Sequence, residues 1–256
     1  MPITAWKCPG CKGATVPLDH YATSPCGQTV AHPSYAAAVL HHDRTHYARG
    51  SGVVEVSDGF GCPRKAGIML GDVAVDPTMF NAALGGTAWH TEMEKADLSA
   101  YGWEIEKVVM GSYGLTRIQG RVDLMNKRLL IWEDWKTKTC WKAKQIEERP
   151  EPDDPVKGGL YAHLTEQQEG WRPRNGTIWY RFAAAGLKPK HVELPDIETV
   201  MAYKPVGNDT YTVYDLLRAV DSLYHGTVRW EDMPLTGESM FFGAKTMCDY
   251  CPVRDV

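Results

Sequence analysis

From about residue 53 onward, apolar and polar positions repeat at periods typical of a mixed α/β domain. Spacings of three and four residues predict helices, whereas alternation and β-branched or aromatic runs predict strands. The predicted elements are a helix over 87–100, strands over 103–110, 115–125 and 128–137, a helix over 156–168, a strand over 177–184 and a helix over 213–224. A tight hairpin at Asn126-Lys127 is predicted between the second and third strands, and a Pro-, Glu- and Asp-rich loop over 147–155.

Residues 1–52 keep neither period and differ from the rest of the chain. An alanine-rich stretch over 35–42 predicts one short helix there. Candidate metal ligands lie in this region: Cys8, Cys11 and Cys26, with His20 or His32 as a fourth. Three cysteines and one histidine are an ordinary ligand set for structural zinc. We therefore predict a zinc-binding module over 1–52 and a larger domain over 53–256, with unliganded thiols in a flexible tail as the alternative.

Composition narrows the class of protein. With 43% hydrophobic and 23% charged residues, the chain can bury a core, and it has no apolar run long enough to span a membrane. Its first residues lack a signal-peptide pattern, so a cytoplasmic location is expected. In a reducing compartment, seven cysteines are more typical of metal sites than of disulfides. The net charge of -4 argues against a protein that coats nucleic acid, although a local basic strip runs from Arg121 to Lys144.

Two aspartates and a lysine flank the predicted hairpin. Asp123 ends a G-x-x-D motif in one strand, and Asp134 and Lys136 form a D-x-K motif in the next. Because alternate side chains of a strand share a face, these three side chains are expected to converge at one edge of the sheet. Carboxylates bind Mg²⁺ or Mn²⁺, and a neighbouring lysine can position water and neutralise charge, as phosphodiester hydrolysis requires. A surface ion pair is the alternative.

These motifs belong to a longer ordered set. In chain order it comprises C-P-R-K from Cys62, G-x-x-x-H ending at His90, G-x-x-D ending at Asp123, D-x-K-T from Asp134, a helical tyrosine at Tyr161, and C-x-x-C-P from Cys248. Over about residues 60–256 this order resembles the RecB-like family of PD-(D/E)XK nucleases. The resemblance is strongest to the iron–sulfur branch, which includes CRISPR-associated RecB-family exonucleases and the nuclease domains of bacterial recombination helicase–nucleases. It implies an α/β core with a small mixed sheet flanked by helices.

The resemblance implies roles for individual residues. Three residues match the family's metal ligands: His90, Asp123 and Asp134. The carbonyl of Trp135 would be a further ligand, and Lys136 would be the catalytic lysine. Tyr161 matches the tyrosine of the family's Q-x-x-x-Y helix and would contact substrate. Lys157 stands at the glutamine position of that motif, a departure that puts the role of the helix in doubt, although a lysine could still meet a phosphate.

The resemblance also implies a 4Fe–4S cluster, which four cysteine thiolates commonly hold. Cys62, Cys248 and Cys251 match three of the family's ligands. The family's last cysteine would directly follow Val256, so the full coding sequence is expected to carry it, and Cys140 is a second candidate. A cluster joining these positions would clasp the two ends of the domain in a structural role. Zinc, or no metal, at the C-terminal pair is the alternative.

The activity that the resemblance implies is Mg²⁺- or Mn²⁺-dependent hydrolysis of DNA, with exonuclease action on single-stranded ends. Trp135 and Trp141 are the first candidates for stacking on unpaired bases. One alternative is a non-catalytic DNA-binding or adaptor module, against which the intact Asp123, Asp134 and Lys136 speak. Another is a subunit that trims DNA only when a protein partner holds it in a larger DNA-processing complex.

Overall fold

The structure, a computed structural model, describes residues 3–24, 26, 36–39, 53–68, 73–75, 81–138, 146, 149–182, 186–206 and 210–233. These residues form two sheets with helices packed against them, which confirms the predicted mixed α/β class. Among the described helices, none combines the length and apolar character that a membrane span requires.

The elements are numbered here in chain order. The strands within the described residues are β1 (Ile3–Cys8), β2 (Ala14–Val16), β3 (Val54–Glu55), β4 (Val73–Val75), β5 (Trp103–Tyr113), β6 (Thr116–Asn126), β7 (Ile131–Lys138), β8 (Asn175–Phe182) and β9 (Gly186–Glu193). The helices are α1 (His20–Thr23), α2 (Pro63–Ile68), α3 (Asn81–Glu94), α4 (Asp153–Glu169), α5 (Ile197–Ala202) and α6 (Val213–Tyr224). Short 3-10 turns cover Pro9–Cys11, Val56–Phe60, Ser99–Tyr101 and Trp230–Asp232, and residues 36–39 are helical.

The larger sheet is built around β6. One edge of β6 pairs antiparallel with β5 along its length, through a tight turn at Gly114. Because a strand has only two edges, β3 and β7 share the other one. β3 pairs with Ile118 and Gln119, and β7 pairs with the segment from Leu124 to Asn126. Residues 120–123 therefore lie between two partner strands, and the sheet opens at this point.

The sheet continues from β7 to parallel β8 and antiparallel β9. Parallel neighbours need a crossover connection, and α4 lies in it, packing over β5 and β6. Glycines let this helix approach closely. A Cβ at Gly158 would clash with the buried indole of Trp132, and one at Gly159 would lie 2.7 Å from Val200 Cγ2. These two glycines therefore allow α4, the helix that follows the D-x-K strand, to pack closely against Trp132 of β7 and Val200 of α5.

A further part of the core is covered by α6, which begins and ends where its apolar spacing predicts. Thr212 and Asp215 form a capping box at its first turn, and this satisfies N–H groups that the helix itself cannot pair. The helix packs on the turn Val56–Phe60, where a Cβ at Gly59 would lie 3.0 Å from Val213 Cγ1. It also contacts α2.

The N-terminal segment forms the smaller sheet, in the order β2-β1-β4. β1 pairs antiparallel with β2 and parallel with β4. Since β4 lies beyond residue 52, this pairing crosses the predicted boundary between the two regions, which stays a prediction. Trp6 is fully buried, packs edge-on against Tyr21 and donates a hydrogen bond from Nε1 to Leu18 O at 3.0 Å.

The predicted boundaries were wrong in two places near the D-x-K strand. The connection between β6 and β7 spans four residues rather than two, and Leu130 adopts a left-handed φ of 55° within it. Leu129 is consequently 56% exposed, although the apolar run predicted a buried strand there. Further along, α4 begins inside the predicted loop over 147–155. Asp153 and Asp154 favour a helix N-terminus through its dipole, and a proline is tolerated in the first turn.

The helix predicted over 87–100 was displaced as well. α3 begins at Asn81 and ends at Glu94, so both glycines of the Gly85-Gly86 pair lie within it. Among the described residues, no atom lies within 4 Å of a Cβ built at Gly86, so nothing in that part of the chain requires a glycine there. The strands β5, β6 and β8 were predicted to within a few residues, whereas the short elements β1 to β4, α1 and α2 were missed, as were β9 and α5. Of the helix predicted over 35–42, only residues 36–39 are described, and they are helical.

Candidate active site

Three carboxylates lie side by side at the opening in the larger sheet. In the antiparallel register of β5 and β6, Glu106 lies opposite Asp123. The ladder between β6 and β7 ends at Leu124 and Glu133, so Asp134 occupies the next position, also opposite Asp123. We call Glu106, Asp123 and Asp134 the carboxylate row, because they cross three adjacent strands in one line.

Asp123 itself ends the pairing of β6 and β7. The backbone N–H of Trp135 donates to Asp123 Oδ2 at 2.6 Å, so a side-chain oxygen replaces the backbone acceptor of a regular ladder. Asp123 is only 7% exposed, and this hydrogen bond satisfies one of its buried oxygens. The strands separate beyond this point.

His90 reaches the row from α3. Its Nε2 donates to the carbonyl oxygen of Trp135 at 2.9 Å. Its Nδ1 lies 3.7 Å from Asp123 Oδ1 and 3.8 Å from Glu106 Oε1. The hydrogen bond to the carbonyl orients the imidazole and leaves Nδ1 facing the two carboxylates. The carbonyl of Trp135, predicted to be a metal ligand, thus lies against His90 in this structure.

Glu106 is held in a backbone conformation that side chains rarely adopt. Its φ is 51°, in the left-handed region, although it lies within a strand. For a residue other than glycine this costs roughly 1–2 kcal/mol, and such strain is found preferentially at functional sites. The carboxylate lies between His90 and Arg121, whose Nε is 3.6 Å from Glu106 Oε2.

Asp134 and Lys136 share a face of β7, as strand alternation predicts. Lys136 Nζ lies 2.5 Å from Asp134 Oδ2, and that buried oxygen makes no directed hydrogen bond within the described part of the chain. Burial alone would lower the pKa of Lys136. The negative charges of Asp134, Asp154 and Asp123 outweigh burial and raise the pKa, so the side chain is held as an ammonium.

Tyr161 of α4 lies over the glycine of the G-x-x-D motif. A Cβ at Gly120 would clash with Tyr161 Cε1 and lie 2.8 Å from Val56 Cγ2, so this position has room only for glycine. Tyr161 also packs edge-on against Trp132, with ring centroids 6.3 Å apart. Burial and the charge of Asp134 raise the pKa of its hydroxyl, which therefore stays neutral. Gly120 and Tyr161, which belong to two separate motifs of the ordered set, therefore contact each other.

Lys157 lies one helical turn before Tyr161. Its Nζ is 4.0 Å from Asp154 Oδ1 and 5.1 Å from the centre of the Phe60 ring. Burial, and then repulsion by Lys136, lower its pKa. Asp154 is buried and accepts a hydrogen bond of 2.6 Å from the Tyr180 hydroxyl. The second lysine is therefore placed near the first one, with a buried aspartate close to both.

The charged groups in and beside the carboxylate row shift one another's pKa values. Burial and the neighbouring charge of Asp134 raise the pKa of Asp123 to about 7, although Lys136, His90 and the Trp135 N–H act in the other direction. Burial would lower the pKa of His90. The Glu106 carboxylate, 3.8 Å from Nδ1, and the charge of Asp123 raise it instead, to about 9. The charge of Asp134 thus favours a proton on Asp123, and a divalent cation would offset the same repulsion.

The ligand atoms fit one divalent ion. Those of His90, Glu106 and Asp123 lie within 4.8 Å of one another. Mg²⁺ holds its oxygen ligands at about 2.0–2.1 Å, so two ligands of one ion lie about 3–4 Å apart. The distances of 3.7 and 3.8 Å from His90 Nδ1 fall in this interval. Asp134 lies outside this group of three, because its Oδ2 faces Lys136.

Sequence reasoning missed Glu106 and Asp154. A signal for Glu106 was available in the turn at Gly114, because the hairpin register counted from that turn places Glu106 opposite Asp123. The left-handed φ of Glu106, in contrast, has no counterpart in the sequence from which it could be predicted. Asp154 was assigned to a loop, and the error over the start of α4 removed it from consideration.

The predicted cysteine sites fall into two parts. The described N-terminal ligands converge: Cys8, Cys11, His20 and Cys26 form one group. Cys62 lies apart from it, directly before α2, and none of these four cysteines forms a disulfide within the described part of the chain. The remaining predicted residues lie outside the described part of the chain: His32, Cys140, Trp141, Cys248 and Cys251. Trp135 is 4% exposed, so it has no free face for an unpaired base.

No protein-family model matches the chain, and no curated protein sequence is similar to it. Among solved structures, the fold is similar to that of SSO0001, with a TM-score of 0.52 and 14% identity over 84% of this chain and 91% of that one. An alkaline exonuclease from Laribacter hongkongensis is more distant, with a TM-score of 0.42 and 13% identity over 69% of this chain and 91% of that one. The similarity to SSO0001 concerns the fold alone, because the two sequences are only 14% identical. The chain thus shares its fold with SSO0001.

Proposed function

We propose that the chain is a metal-dependent nuclease of the PD-(D/E)XK class, which hydrolyses phosphodiester bonds of DNA. The observation that carries the proposal is the carboxylate row at the opening of the sheet, with His90 at one side and Lys136 at the other. A solvated ion pair between Asp134 and Lys136 would not require this arrangement. Two members of the row are buried, and Glu106 is held in a costly backbone conformation.

His90, Glu106 and Asp123 would hold Mg²⁺ or Mn²⁺, with His90 binding through Nδ1. Asp134 would join them when Lys136 turns towards substrate. Such an ion, when bound, lowers the pKa of a water molecule and stabilises negative charge on the phosphate. The protein's part is to orient the imidazole, through its hydrogen bond to the Trp135 carbonyl, and to hold the carboxylates in line.

Lys136 would act as a cation beside the scissile phosphate. An ammonium that lies 2.5 Å from a buried carboxylate is a poor base, because the carboxylate raises its pKa. It can neutralise the charge that develops on a phosphate and orient an attacking water. Competition between Lys136 and a metal ion for Asp134 would couple the movement of the lysine to metal binding.

Substrate would lie along α4. Lys157 and Tyr161 occupy neighbouring turns on the face that meets the row, and Arg121 is exposed at the other side of Glu106. Two cations flanking the row suit a chain of phosphates, since lysine and arginine supply most protein contacts to a nucleic-acid backbone. Single-stranded DNA ends, cut as an exonuclease, are the substrate that the resemblance to RecB-like nucleases favours.

A 4Fe–4S cluster on Cys62, Cys248 and Cys251 is part of this proposal. The turn Trp230–Asp232 packs against α2, which begins directly after Cys62, so the last described part of the chain approaches the first proposed ligand. That approach supports a clasp between the two ends of the domain. Iron content and visible absorbance of protein purified without oxygen would test it, with Cys62→Ser expected to lose both.

The function is tested on end-labelled single- and double-stranded DNA with Mn²⁺, Mg²⁺ or EDTA. Asp134→Ala and Lys136→Ala, each shown to be folded, should abolish cutting that the unaltered protein performs only with metal. Glu104→Gln and Lys127→Met are matched controls, because both residues are exposed and lie beside the same strands. The position of the remaining label gives the polarity. A folded, metal-binding protein that cuts no DNA would favour an adaptor, or a subunit that needs its complex.

A further inference from the structure

We propose a second metal site, independent of the carboxylate row, at the N-terminal sheet. Its four ligands are Cys8, Cys11, His20 and Cys26, and its metal is zinc. The role is structural, because four protein ligands leave a tetrahedral ion no open position for a substrate or water.

The distances between the ligand atoms match those around a tetrahedral zinc ion. Bonds of about 2.3 Å to sulfur and about 2.0 Å to nitrogen place sulfurs about 3.8 Å apart, and a sulfur and a nitrogen about 3.5 Å apart. Cys8 Sγ lies 3.9 Å from Cys26 Sγ, and Cys11 Sγ lies 3.7 Å from His20 Nε2. Cys11 Sγ and Cys26 Sγ are 3.3 Å apart. The last pair is closer than in a loaded site, but it is well beyond the length of a disulfide bond, about 2.05 Å, and none of the three cysteines forms one within the described residues.

The backbone shapes this site before any metal binds. β1 ends at Cys8, and a 3-10 turn over Pro9–Cys11 reverses the chain into β2. The turn closes through hydrogen bonds from Lys12 N to Pro9 O at 3.1 Å and from Gly13 N to Cys8 O at 3.0 Å. Lys12 and Gly13 both have left-handed φ angles, of 56° and 77°. A turn of this kind returns the second cysteine to the first, as a C-x-x-C metal site requires.

His20 is the fourth ligand in this arrangement. It begins α1, its Nε2 faces Cys11, and its ring packs edge-on against Tyr21 at 5.6 Å between centroids. Sequence spacing left His20 and His32 as equal candidates. Within the described residues the imidazole of His20 is the one that meets the thiols, and His32 lies outside them.

The N-terminal sheet has a physical need for such a cross-link. β2 and β4 contribute three residues each, and the buried aromatic side chains there are Trp6 and Tyr21. A core of this size buries too little apolar surface to order a segment by itself, and small modules commonly use a metal instead. Three thiolates this close would repel one another, which a divalent cation offsets. Since β1 also pairs with β4, the zinc would fix the contact between the N-terminal segment and the rest of the chain.

The proposal is tested by metal content, which needs no nuclease activity. The full chain, purified without added metal or chelator, should contain one equivalent of zinc by elemental mass spectrometry. Cys11→Ser and His20→Ala should lose it, whereas His32→Ala and His225→Ala should retain it. His225 is an exposed histidine at the end of α6 and serves as the matched control. Retention of zinc in His20→Ala together with loss in His32→Ala would overturn the ligand assignment.

Cys62→Ser separates this site from the proposed iron–sulfur cluster. It should keep the zinc whatever it does to iron, because Cys62 is not part of the group. Loss of zinc in Cys62→Ser, or a disulfide between Cys11 and Cys26 in protein purified under reducing conditions, would contradict the proposal. Iron in place of zinc, lost in Cys11→Ser, would contradict the choice of metal.

His20→Cys guards against variants that merely fail to fold. A fourth thiolate can replace the imidazole in a tetrahedral zinc site, so this variant should still hold one zinc. With Co²⁺ in place of zinc, its thiolate-to-metal absorbance should exceed that of the unaltered chain, because one more sulfur binds the ion. Equal absorbance in the two proteins would show that residue 20 does not touch the metal.

Discussion

Asp123 Oδ2 accepts the backbone N–H of Trp135 at 2.6 Å, while Asp123 Oδ1 lies 3.7 Å from His90 Nδ1. One carboxylate therefore ends the pairing of two strands and also faces the proposed metal site. The two roles place different demands on the side chain. The first needs an oxygen that accepts a hydrogen bond, and the second needs a negative charge.

Asp123→Asn and Asp123→Ala should separate these roles. Asparagine can still accept the Trp135 N–H, so in EDTA its free energy of unfolding should at least equal that of the unaltered chain. Alanine leaves a buried N–H without an acceptor and should cost about 1–3 kcal/mol. Both variants should lose Mn²⁺ binding in calorimetric titration. Equal stability of the two variants in urea unfolding would show that the hydrogen bond has no structural role.

The metal-free protein should lose stability as the pH rises from about 4 to about 7. Burial and the charge of Asp134 raise the pKa of Asp123 to about 7 in the folded chain, whereas an unfolded aspartate titrates near about 3.9. Between these values the folded state retains a proton that the unfolded state has released, so unfolding becomes easier. Urea unfolding in EDTA would measure this. The free energy of unfolding of the unaltered chain, minus that of Asp123→Asn, should fall as the pH rises from about 4 to about 7. A constant difference would contradict the prediction.

His90 should extend the loss of stability to higher pH. Burial opposes its protonation, but the nearby carboxylate of Glu106 and the charge of Asp123 raise its pKa to about 9. This contribution is complete below about 6.5, the pKa of an unfolded histidine, and disappears as the pH rises through about 9. His90→Gln should remove the decline between these values in the same unfolding series.

Glu106→Gly should be more stable than Glu106→Ala by about 1–2 kcal/mol, although glycine ordinarily weakens a strand. The inversion is expected because residue 106 has a φ of 51°, where a Cβ is strained and glycine is not. Both variants should lose Mn²⁺ affinity by about tenfold or more, since both remove one proposed ligand. Urea unfolding in EDTA gives the first quantity, and calorimetric titration gives the second.

Glu104 supplies the control for these variants. It lies two residues away in β5, it is exposed, and its carboxylate pairs with Lys107 instead of the row. Glu104→Gly should be less stable than Glu104→Ala, the ordinary order for a strand, and should leave Mn²⁺ affinity unchanged. The same order of stability at both positions would argue against backbone strain at Glu106.

The sequence predicted those parts of the fold whose signals are local. Apolar spacing was sufficient for α6, and alternation placed Asp134 and Lys136 on one face. Boundaries failed where a neighbouring element decided them. Nothing in the run around Leu129 shows that β7 pairs with β6 only at Leu124 to Asn126. The start of α4 is a different case, because its acidic first turn, Asp153 and Asp154, was a local signal that was assigned to a loop.

The site was predictable in its residue types and less so in its contacts. His90, Asp123 and Asp134 were proposed as one ligand set from the ordered motifs, whereas the structure groups His90 and Asp123 with Glu106 and turns Asp134 to Lys136. The difference arises from pairwise register and from an unusual φ, neither of which a motif records. The sequence likewise does not show which ring nitrogen of His90 would bind the metal, because that choice depends on the hydrogen bond from Nε2 to the Trp135 carbonyl.

Lys136→Met should abolish cutting without weakening metal binding. The ammonium competes with a cation for Asp134, so its removal should leave Mn²⁺ affinity equal or higher. Cleavage should fall by about a hundredfold or more, because a positive charge at the phosphate is lost. Single-turnover cleavage at saturating Mn²⁺ measures the effect, with Lys127→Met as an exposed control. A variant inactive only at low Mn²⁺ would instead assign Lys136 a part in metal binding.

Gly120→Ala and Gly86→Ala should have opposite effects, although both glycines belong to motifs of the ordered set. A Cβ at Gly120 would clash with Tyr161, so alanine should cost about 1–3 kcal/mol and displace that ring from the row. A Cβ at Gly86 would meet no described atom within 4 Å, and alanine in a helix should add about 0.5–1 kcal/mol. Combining Gly120→Ala with Tyr161→Leu, which removes the clash with the Tyr161 ring but leaves the close contact with Val56, should restore part of the stability but not the cleavage. If the double variant regained full cleavage, Tyr161 would have no role at the substrate.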